Sequence, residues 1–148
     1  MNVQEPVHVV CPACLAVNRV PGARLGARPA CGKCRATLFS GHPVLLTEAT
    51  FDLQISRTDL PIVVDFWAPW CGPCRSMAPA FERAAAALEP DVRLAKVDTE
   101  AEPGLGARFG IRSIPTLAVF RGGREVARQA GAMDDARLVA WVRSVLRG

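Results

Sequence analysis

Six cysteines in three Cys-x-x-Cys pairs constrain this chain more than any other feature of its sequence. The pairs are Cys11/Cys14, Cys31/Cys34 and Cys71/Cys74. Cysteines at this spacing either bind a metal ion as thiolates or exchange a disulfide. The third pair directly follows a long apolar run, over residues 61–67. The surroundings of each pair therefore indicate which chemistry it supports.

The N-terminal segment, residues 1–39, is rich in Cys, Pro, Gly and Arg and lacks helical periodicity. This composition predicts short turns and hairpins. We do not expect the segment to be stabilised by a hydrophobic core alone. The 16 residues between its two pairs fit the spacing of a two-knuckle zinc site. Four thiolates suit a closed structural Zn²⁺ site, so one zinc ion is predicted on Cys11, Cys14, Cys31 and Cys34. A second redox pair is the alternative, but neither pair follows an apolar strand and begins a long helix.

The excess positive charge of the chain lies in this segment. Residues 1–42 carry five Lys or Arg and one Glu, whereas residues 43–148 carry 13 of each sign. Basic zinc modules can bind nucleic acid, but residues 16–29 contain no aromatic side chain to stack on bases. We therefore expect a solvated basic loop and no nucleic-acid partner. We expect His8 and His42 to be exposed or turn residues, because four cysteines already close the zinc shell.

The N-terminus does not resemble an export signal. Residues 1–8 show no basic stretch leading into an apolar run, and no apolar segment approaches the length of a membrane span. We therefore expect a soluble cytoplasmic protein without a membrane partner. In that compartment, cysteine pairs are more often metal ligands or redox sites than structural disulfides.

After a short linker at residues 40–43, strand and helix patterns alternate through residues 44–148. Strands are predicted over 44–46, 61–67, 92–97, 116–120 and 124–130, with a hairpin at Gly122-Gly123. Helices are predicted over 50–56, 71–88 with a kink at Pro79, 102–109, and after an N-cap at Asp134. The last helix places Leu138, Trp141, Val142 and Val145 on one face. The chain has 148 residues, and half of them are hydrophobic. This length and composition predict one α/β core and a small accessory module.

Cys71 lies where a predicted strand ends and the longest helix begins. A helix N-terminus directs unpaired N–H groups and positive charge at the sulfur, which favours the nucleophilic thiolate. Cys74, one turn further on, can resolve a mixed disulfide formed at Cys71. Pro73 stiffens the turn and removes one N–H donor. A further metal-binding pair and an inert disulfide are the alternatives, and the order of strand, motif and helix favours redox catalysis.

Asp65 lies inside the apolar run that leads to this motif. Burial among Ile, Val, Phe and Trp should raise the pKa of its carboxyl group. It could then exchange the proton of Cys74 during resolution. A solvated edge-strand aspartate, or one with a structural hydrogen bond, is the alternative.

Ile114-Pro115 precedes a predicted core strand. The proline either begins the strand in trans or forms a cis turn, and the pattern alone does not favour cis. A cis bond facing Cys71 would leave the backbone of Ile114 free to pair with an extended substrate. Trp70 and Ile114 would then form an apolar platform around the sulfur, although either could belong to the core.

Taken together, residues 43–148 resemble the thioredoxin family. The matching residues are Phe66-Trp67-Ala68-Pro69-Trp70-Cys71-Gly72-Pro73-Cys74-Arg75, Ala78-Pro79, Lys96-Val97-Asp98, Ile114-Pro115-Thr116, Gly122-Gly123 and Gly131. With the N-terminal cysteines, the whole chain resembles the zinc-containing bacterial class, thioredoxin 2. The resemblance implies an α/β thioredoxin fold, in which four helices flank a mixed five-stranded sheet, with a small N-terminal zinc ribbon and a cis Ile114-Pro115 bond.

The resemblance also implies a role for each site residue. Cys71 would be the attacking thiol and Cys74 the resolving thiol, with Asp65 as buried proton carrier beside Lys96. Between the cysteines, Gly72-Pro73 is like the insert of reducing members, whereas oxidants usually carry a histidine that stabilises the reduced form. The implied substrate contacts are Trp70, Ile114, Pro115 and Gly131.

The implied enzyme is a monomeric protein-disulfide reductase with a redox-active Cys71–Cys74 disulfide. An NADPH-dependent thioredoxin reductase would recharge it, and oxidised cytoplasmic proteins would be its substrates. A second hypothesis makes the ribbon a binding module that holds unfolded protein or nucleic acid, so that deleting residues 1–42 would narrow the client range. A third hypothesis is that oxidation of the zinc thiolates ejects the metal and changes the ribbon's contacts. Measuring zinc release during peroxide treatment tests this hypothesis.

Overall fold

Two β-sheets of unequal size organise the chain in the computed structural model, which describes residues 5–148. The small sheet pairs β1 (Pro6–Val10) with β2 (Val17–Pro21). The large sheet contains β3 (Val44–Leu45), β4 (Ile62–Trp67), β5 (Arg93–Asp98), β6 (Thr116–Arg121) and β7 (Arg124–Ala130). The α-helices are α1 (Phe51–Arg57), α2 (Gly72–Leu88), α3 (Pro103–Arg108) and α4 (Asp135–Arg147). No helix in these residues is long and apolar enough to cross a membrane.

The large sheet is mixed, in the order β3-β5-β4-β6-β7. Strands β3 and β4 run parallel to β5, whereas β6 runs antiparallel to both β4 and β7. The predicted five-stranded mixed sheet flanked by four helices is therefore confirmed. The β6–β7 hairpin turns at Gly122 and Gly123, whose φ angles of 60° and 80° suit residues without a side chain.

Helices cover both faces of the large sheet. Residues of α2 and α4, including Phe81 and Leu138, pack on one face. Phe51 of α1 and Leu105 of α3 pack on the other. Strand β4 lies between these two layers, which explains why its sequence is apolar at nearly every position.

The observed elements begin and end within one or two residues of the predicted bounds. Helix α2 begins at Gly72 and continues through Pro79, with Cys71 as its N-cap. Asp134 caps α4 as predicted, since its Oδ1 accepts a hydrogen bond of 2.8 Å from the backbone N–H of Arg137. Thr50 precedes α1 without making a side-chain cap hydrogen bond.

The small sheet belongs to a ribbon with a core of its own. Its buried residues are Val7, Val9, Cys11, Val20, Cys31 and Leu38, and Leu60 from outside the ribbon packs against them. Two of these six residues are predicted zinc ligands. The apolar core is thus small and is built around the cysteines, in agreement with a segment that folds around an ion.

The ribbon packs at the end of the large sheet where β4 and β5 begin. The carbonyl oxygen of His8 in β1 accepts a hydrogen bond of 2.8 Å from the N–H of Asp59, just before β4. The N–H of Val10 donates to Thr58 Oγ1 at 3.2 Å. Cys71 follows the opposite end of β4, and a six-residue strand spans about 20 Å. The ribbon and the third cysteine pair therefore lie at opposite ends of the sheet.

Candidate redox and metal sites

Cys71 and Cys74 form a disulfide at the N-terminus of α2. Cys71 is the N-cap of the helix, and its sulfur accepts a hydrogen bond of 3.2 Å from the backbone N–H of Cys74. Pro73 in the first turn has no N–H to offer, so Cys74 supplies this donor instead. After reduction, the same N–H and the positive helix end favour the thiolate of Cys71.

Asp65 lies in the middle of β4 with only 1% of its surface exposed. Neither carboxylate oxygen has a hydrogen-bond partner among residues 5–148. Burial raises the pKa of Asp65 to about 7, and the positive charge of Lys96 opposes this rise. The group is therefore poised to gain or lose a proton near neutral pH.

The direction of the Asp65 side chain follows from its strand. Val63, two residues earlier, packs in the cluster that contains Met77 and Phe81 of α2. Side chains two positions apart on a strand share a face, so the Asp65 carboxyl lies on the side of the sheet that α2 covers. Cys74 is buried in the first turn of that helix.

Lys96 is the neighbour of Asp65 on β5, directly across the parallel pairing. Its Nζ atom lies 4.3 Å from the centroid of the Trp67 ring. The contact places the ammonium group over the aromatic face, where the two attract. Like the Asp65 carboxyl, the buried Trp67 Nε1–H has no hydrogen-bond partner in the described residues.

The Ile114–Pro115 bond is cis and lies beside the disulfide. The carbonyl oxygen of Ile114 is 3.7 Å from Cys71 Sγ. Its N–H has no acceptor within the described part of the chain. Gly131 donates a backbone hydrogen bond of 2.9 Å to the Pro115 carbonyl, and Trp70 is 66% exposed. Among residues 5–148, the N–H of Ile114 is thus unpaired in a residue whose carbonyl lies beside the sulfur, and Trp70, next to Cys71 in the sequence, exposes its indole to solvent.

The N-terminal cysteines converge on one point. The sulfurs of Cys11, Cys14, Cys31 and Cys34 all lie within 4.8 Å of one another. Cys11 Sγ is 3.6 Å from Cys34 Sγ, and Cys14 Sγ is 3.6 Å from Cys31 Sγ. Tetrahedral zinc with Zn–S bonds of about 2.3 Å separates its sulfur ligands by about 3.8 Å. The cluster therefore fits a zinc ion.

The two knuckles have matching turns. Cys11 N–H donates to Ala16 at 2.9 Å, and Cys31 N–H donates to Ala36 at 2.8 Å. The residue after the second cysteine has a left-handed backbone in both knuckles, with φ of 68° at Leu15 and 71° at Arg35. Each knuckle also directs a backbone N–H toward its first sulfur, through the 3.3 Å bond from Ala13 to Cys11 and the 3.4 Å bond from Lys33 to Cys31.

The pKa values of two ligand cysteines are shifted in opposite directions. The hydrogen bond from the Ala36 backbone lowers the pKa of Cys34, but desolvation and hydrogen bonds to the other three cysteines outweigh it and raise that pKa to about 11. The backbone of Cys34 and the side chain of Asn18 lower the pKa of Cys31 to about 6. Zinc binds cysteine as the thiolate, so the lowered pKa favours coordination at neutral pH. Neither histidine belongs to the cysteine cluster. His8 Nδ1 is 2.9 Å from Asp59 Oδ2, and His42 Nδ1 is 2.7 Å from Glu82 Oε2.

Comparison with known proteins identifies both parts of the chain. Residues 42–144 match the family model described as Thioredoxin. The chain belongs to the thioredoxin family. Residues 10–36 match a second model, described as Thioredoxin 2, N-terminal, which covers the cysteine ribbon. The resemblance found in the sequence is therefore confirmed over both units.

Individual relatives agree with this assignment. "Thioredoxin C-3" of Corynebacterium nephridii is 45% identical over 139 residues, which cover 94% of this chain and 95% of the relative. "Thioredoxin M-type, chloroplastic" of Chlamydomonas reinhardtii is 36% identical over 130 residues, which cover 86% of this chain and 93% of the relative. This member of the thioredoxin family is a thiol–disulfide oxidoreductase that carries a zinc-ribbon module.

Three buried polar residues were missed by sequence reasoning. Gln54, Thr58 and Arg93 are each no more than 2% exposed. All three contact the ribbon, through hydrogen bonds to Val10. Arg93 did carry a signal, because it lies between the apolar residues Val92 and Leu94 at the start of a predicted core strand.

Proposed function

We propose that this thioredoxin-family chain is a protein-disulfide reductase that acts on oxidised proteins of the cytoplasm. The observation that carries the proposal is the position of Cys71, which caps α2 and lies beside the free backbone of Ile114. The direction of the reaction rests on the Gly72-Pro73 insert. No histidine lies between the cysteines to stabilise the thiolate, so the reduced form donates its electrons readily.

In the reduced chain, the Cys71 thiolate attacks one sulfur of a substrate disulfide. A mixed disulfide forms, and the first substrate sulfur leaves as a thiolate that takes up a proton. Cys74 then gives its proton to Asp65 and attacks Cys71 Sγ. The second substrate sulfur leaves as a thiolate and takes up a proton from solvent, and Asp65 returns its proton to solvent, so that the carboxylate is regenerated. Two thiols of this chain are oxidised to the Cys71–Cys74 disulfide, and one substrate disulfide is reduced to two thiols.

The surface around Cys71 would hold an extended substrate segment. Its strand-like backbone would pair with the N–H of Ile114 next to cis Pro115. Trp70 would cover the substrate with its exposed indole, and Gly131, with a φ of 98° and no side chain, leaves room beside it. These contacts are main-chain and apolar, so they fit many sequences.

The zinc site would have a structural role, which is to stabilise the folded ribbon. Its four cysteines close the metal shell, as structural sites do, and the ribbon lies at the end of the sheet opposite Cys71. We include in the proposal the division of the chain into a ribbon at residues 1–39, a linker at 40–43 and the thioredoxin domain at 44–148. The separate apolar clusters of the two units support this division.

The proposal predicts catalytic reduction of insulin when NADPH and a thioredoxin reductase recharge the chain. NADPH consumption measured with substoichiometric chain would then continue until the insulin disulfides are exhausted. The control is a chain that has been reduced with dithiothreitol and then separated from it. This chain needs no reductase, so it tests insulin reduction even when the chosen reductase does not recognise the protein. A pre-reduced chain that leaves insulin disulfides intact would contradict the proposal.

A further inference from the structure

Arg93 is a buried cation that the redox reaction does not use. It begins β5, is 1% exposed, and is the bulkiest of the fully buried side chains. Burial lowers the pKa of Arg93 to about 10, so the guanidinium stays charged at neutral pH. A buried charge is costly unless hydrogen bonds replace its water.

The ribbon supplies most of those hydrogen bonds. Arg93 Nη1 donates to the carbonyl oxygen of Val10 at 2.7 Å, and Nη2 donates to the carbonyl oxygen of Leu38. The guanidinium carbon also lies 5.0 Å from the centroid of the Phe39 ring. Gln54 of α1 accepts a third hydrogen bond, at 3.2 Å, whereas Nε has no partner among the described residues. The negative charge of Glu89 partly opposes the lowering of the Arg93 pKa by burial.

The two carbonyls come from opposite ends of the metal site. Val10 directly precedes the ligand Cys11, and Leu38 follows the second knuckle. One planar guanidinium therefore connects both arms of the ribbon to the first residue of a central strand. These carbonyls have the right positions only when both knuckles are folded, and the knuckles fold around the ion. Gln54 reinforces the same contact, since its Nε2 donates to the Val10 and Cys11 carbonyls at 3.5 and 3.4 Å.

We propose that Arg93 is the positioning residue that couples zinc binding in the ribbon to the stability of the thioredoxin domain. Coupling between two equilibria is reciprocal. Zinc stabilises the domain through the Arg93 contacts, and the folded domain slows the loss of zinc through the same contacts. The inference rests on zinc binding by the four cysteines and is independent of the direction of the redox reaction.

Tryptophan fluorescence can follow the domain alone, because Trp67, Trp70 and Trp141 all lie outside the ribbon. Urea unfolding of the full chain is measured with zinc bound and after a chelator has removed it, in the wild type and in Arg93→Met. We expect zinc removal to lower the wild-type midpoint by about 1 M. In Arg93→Met the midpoint with zinc bound falls toward that of the stripped wild type, and zinc removal lowers it by less than half as much.

Zinc release to a colorimetric chelator provides the reciprocal readout. We expect release from Arg93→Met to be about tenfold faster than from the wild type. Arg93→Lys should rescue little, because a single ammonium cannot donate to both carbonyls in the same fork. Arg83→Met, which removes an exposed arginine paired with Asp135, is the matched control and should behave as the wild type in both measurements.

Equal effects of zinc removal on the wild type and Arg93→Met, or none on either, would overturn the proposal. If Arg93→Met does not fold, hydrogen exchange in the wild-type chain decides instead. Zinc removal should then speed exchange of the β5 amides more than that of the β7 amides, which lie at the far edge of the sheet. Unchanged protection of β5 would refute the coupling.

Discussion

The Cys71→Ser variant is expected to lose catalysed insulin reduction, by on the order of 1,000-fold or more, to the background of the assay. A serine hydroxyl does not ionise near neutral pH, so the helix N-terminus has no thiolate to stabilise and no mixed disulfide can form. The measurement is the initial rate of insulin reduction by the pre-reduced chain. Zinc content serves as the fold control, since the metal ligands are untouched.

The Cys74→Ser variant provides the matched comparison. It keeps the attacking thiol but lacks the resolving one, so it should accumulate the mixed disulfide between Cys71 and substrate. Mass spectrometry of the trapped complex identifies the bonded cysteine. Insulin reduction that survives Cys71→Ser, or a trapped bond at any other cysteine, would refute the assignment of the site.

Asp65 is expected to make stability depend on pH. Its pKa is about 7 in the folded chain against 3.8 for the ordinary group. Between these values the folded state holds a proton that the unfolded state has released, so the free energy of unfolding falls as pH rises from about 4 to 7. The total loss is about 4 kcal/mol, because each tenfold difference in proton affinity between the two states is worth about 1.4 kcal/mol. Urea unfolding across this range measures it.

The Asp65→Asn variant should lack this pH-dependent loss. At pH 8 we expect it to be more stable than the wild type by about 4 kcal/mol, and below pH 4 the two should converge. It should also resolve mixed disulfides roughly 100-fold more slowly at neutral pH, because no carboxylate accepts the Cys74 proton. The exposed carboxyl of Asp91 provides a control, and Asp91→Asn should follow the wild-type curve. A curve for Asp65→Asn that is parallel to the wild-type curve would contradict a buried, raised-pKa carboxyl.

The elements of the thioredoxin domain could be predicted from sequence because their signals are local. A continuous apolar run marks β4 as buried on both faces, and Gly122-Gly123 marks the β6–β7 turn. The clustering of the four N-terminal cysteines was also predicted, because the spacing of the two pairs fits a two-knuckle site and neither pair begins a long helix as the redox pair does. Each of these features depends on residues that are close in the sequence.

The docking of the ribbon could not be predicted in this way. Arg93 meets Val10 and Leu38 from 83 and 55 residues away. No periodicity carries such a contact, because it depends on which end of the sheet the ribbon covers. The cis form of the Ile114–Pro115 bond was likewise not decided by the sequence pattern, and the free backbone of Ile114 beside Cys71 was expected only on that condition. Both features depend on how distant parts of the chain pack together.

The central claim is that one cysteine pair exchanges disulfides while the other two hold zinc. Alkylation mapping by mass spectrometry, with metal analysis, on the purified chain before and after oxidation by a small disulfide tests it most directly. We expect one zinc per chain in both states, six alkylated cysteines in the unfolded reduced chain, and four after oxidation, with the lost pair mapped to Cys71 and Cys74. A disulfide between Cys11 and Cys14 or between Cys31 and Cys34, or zinc bound through Cys71, would contradict the account.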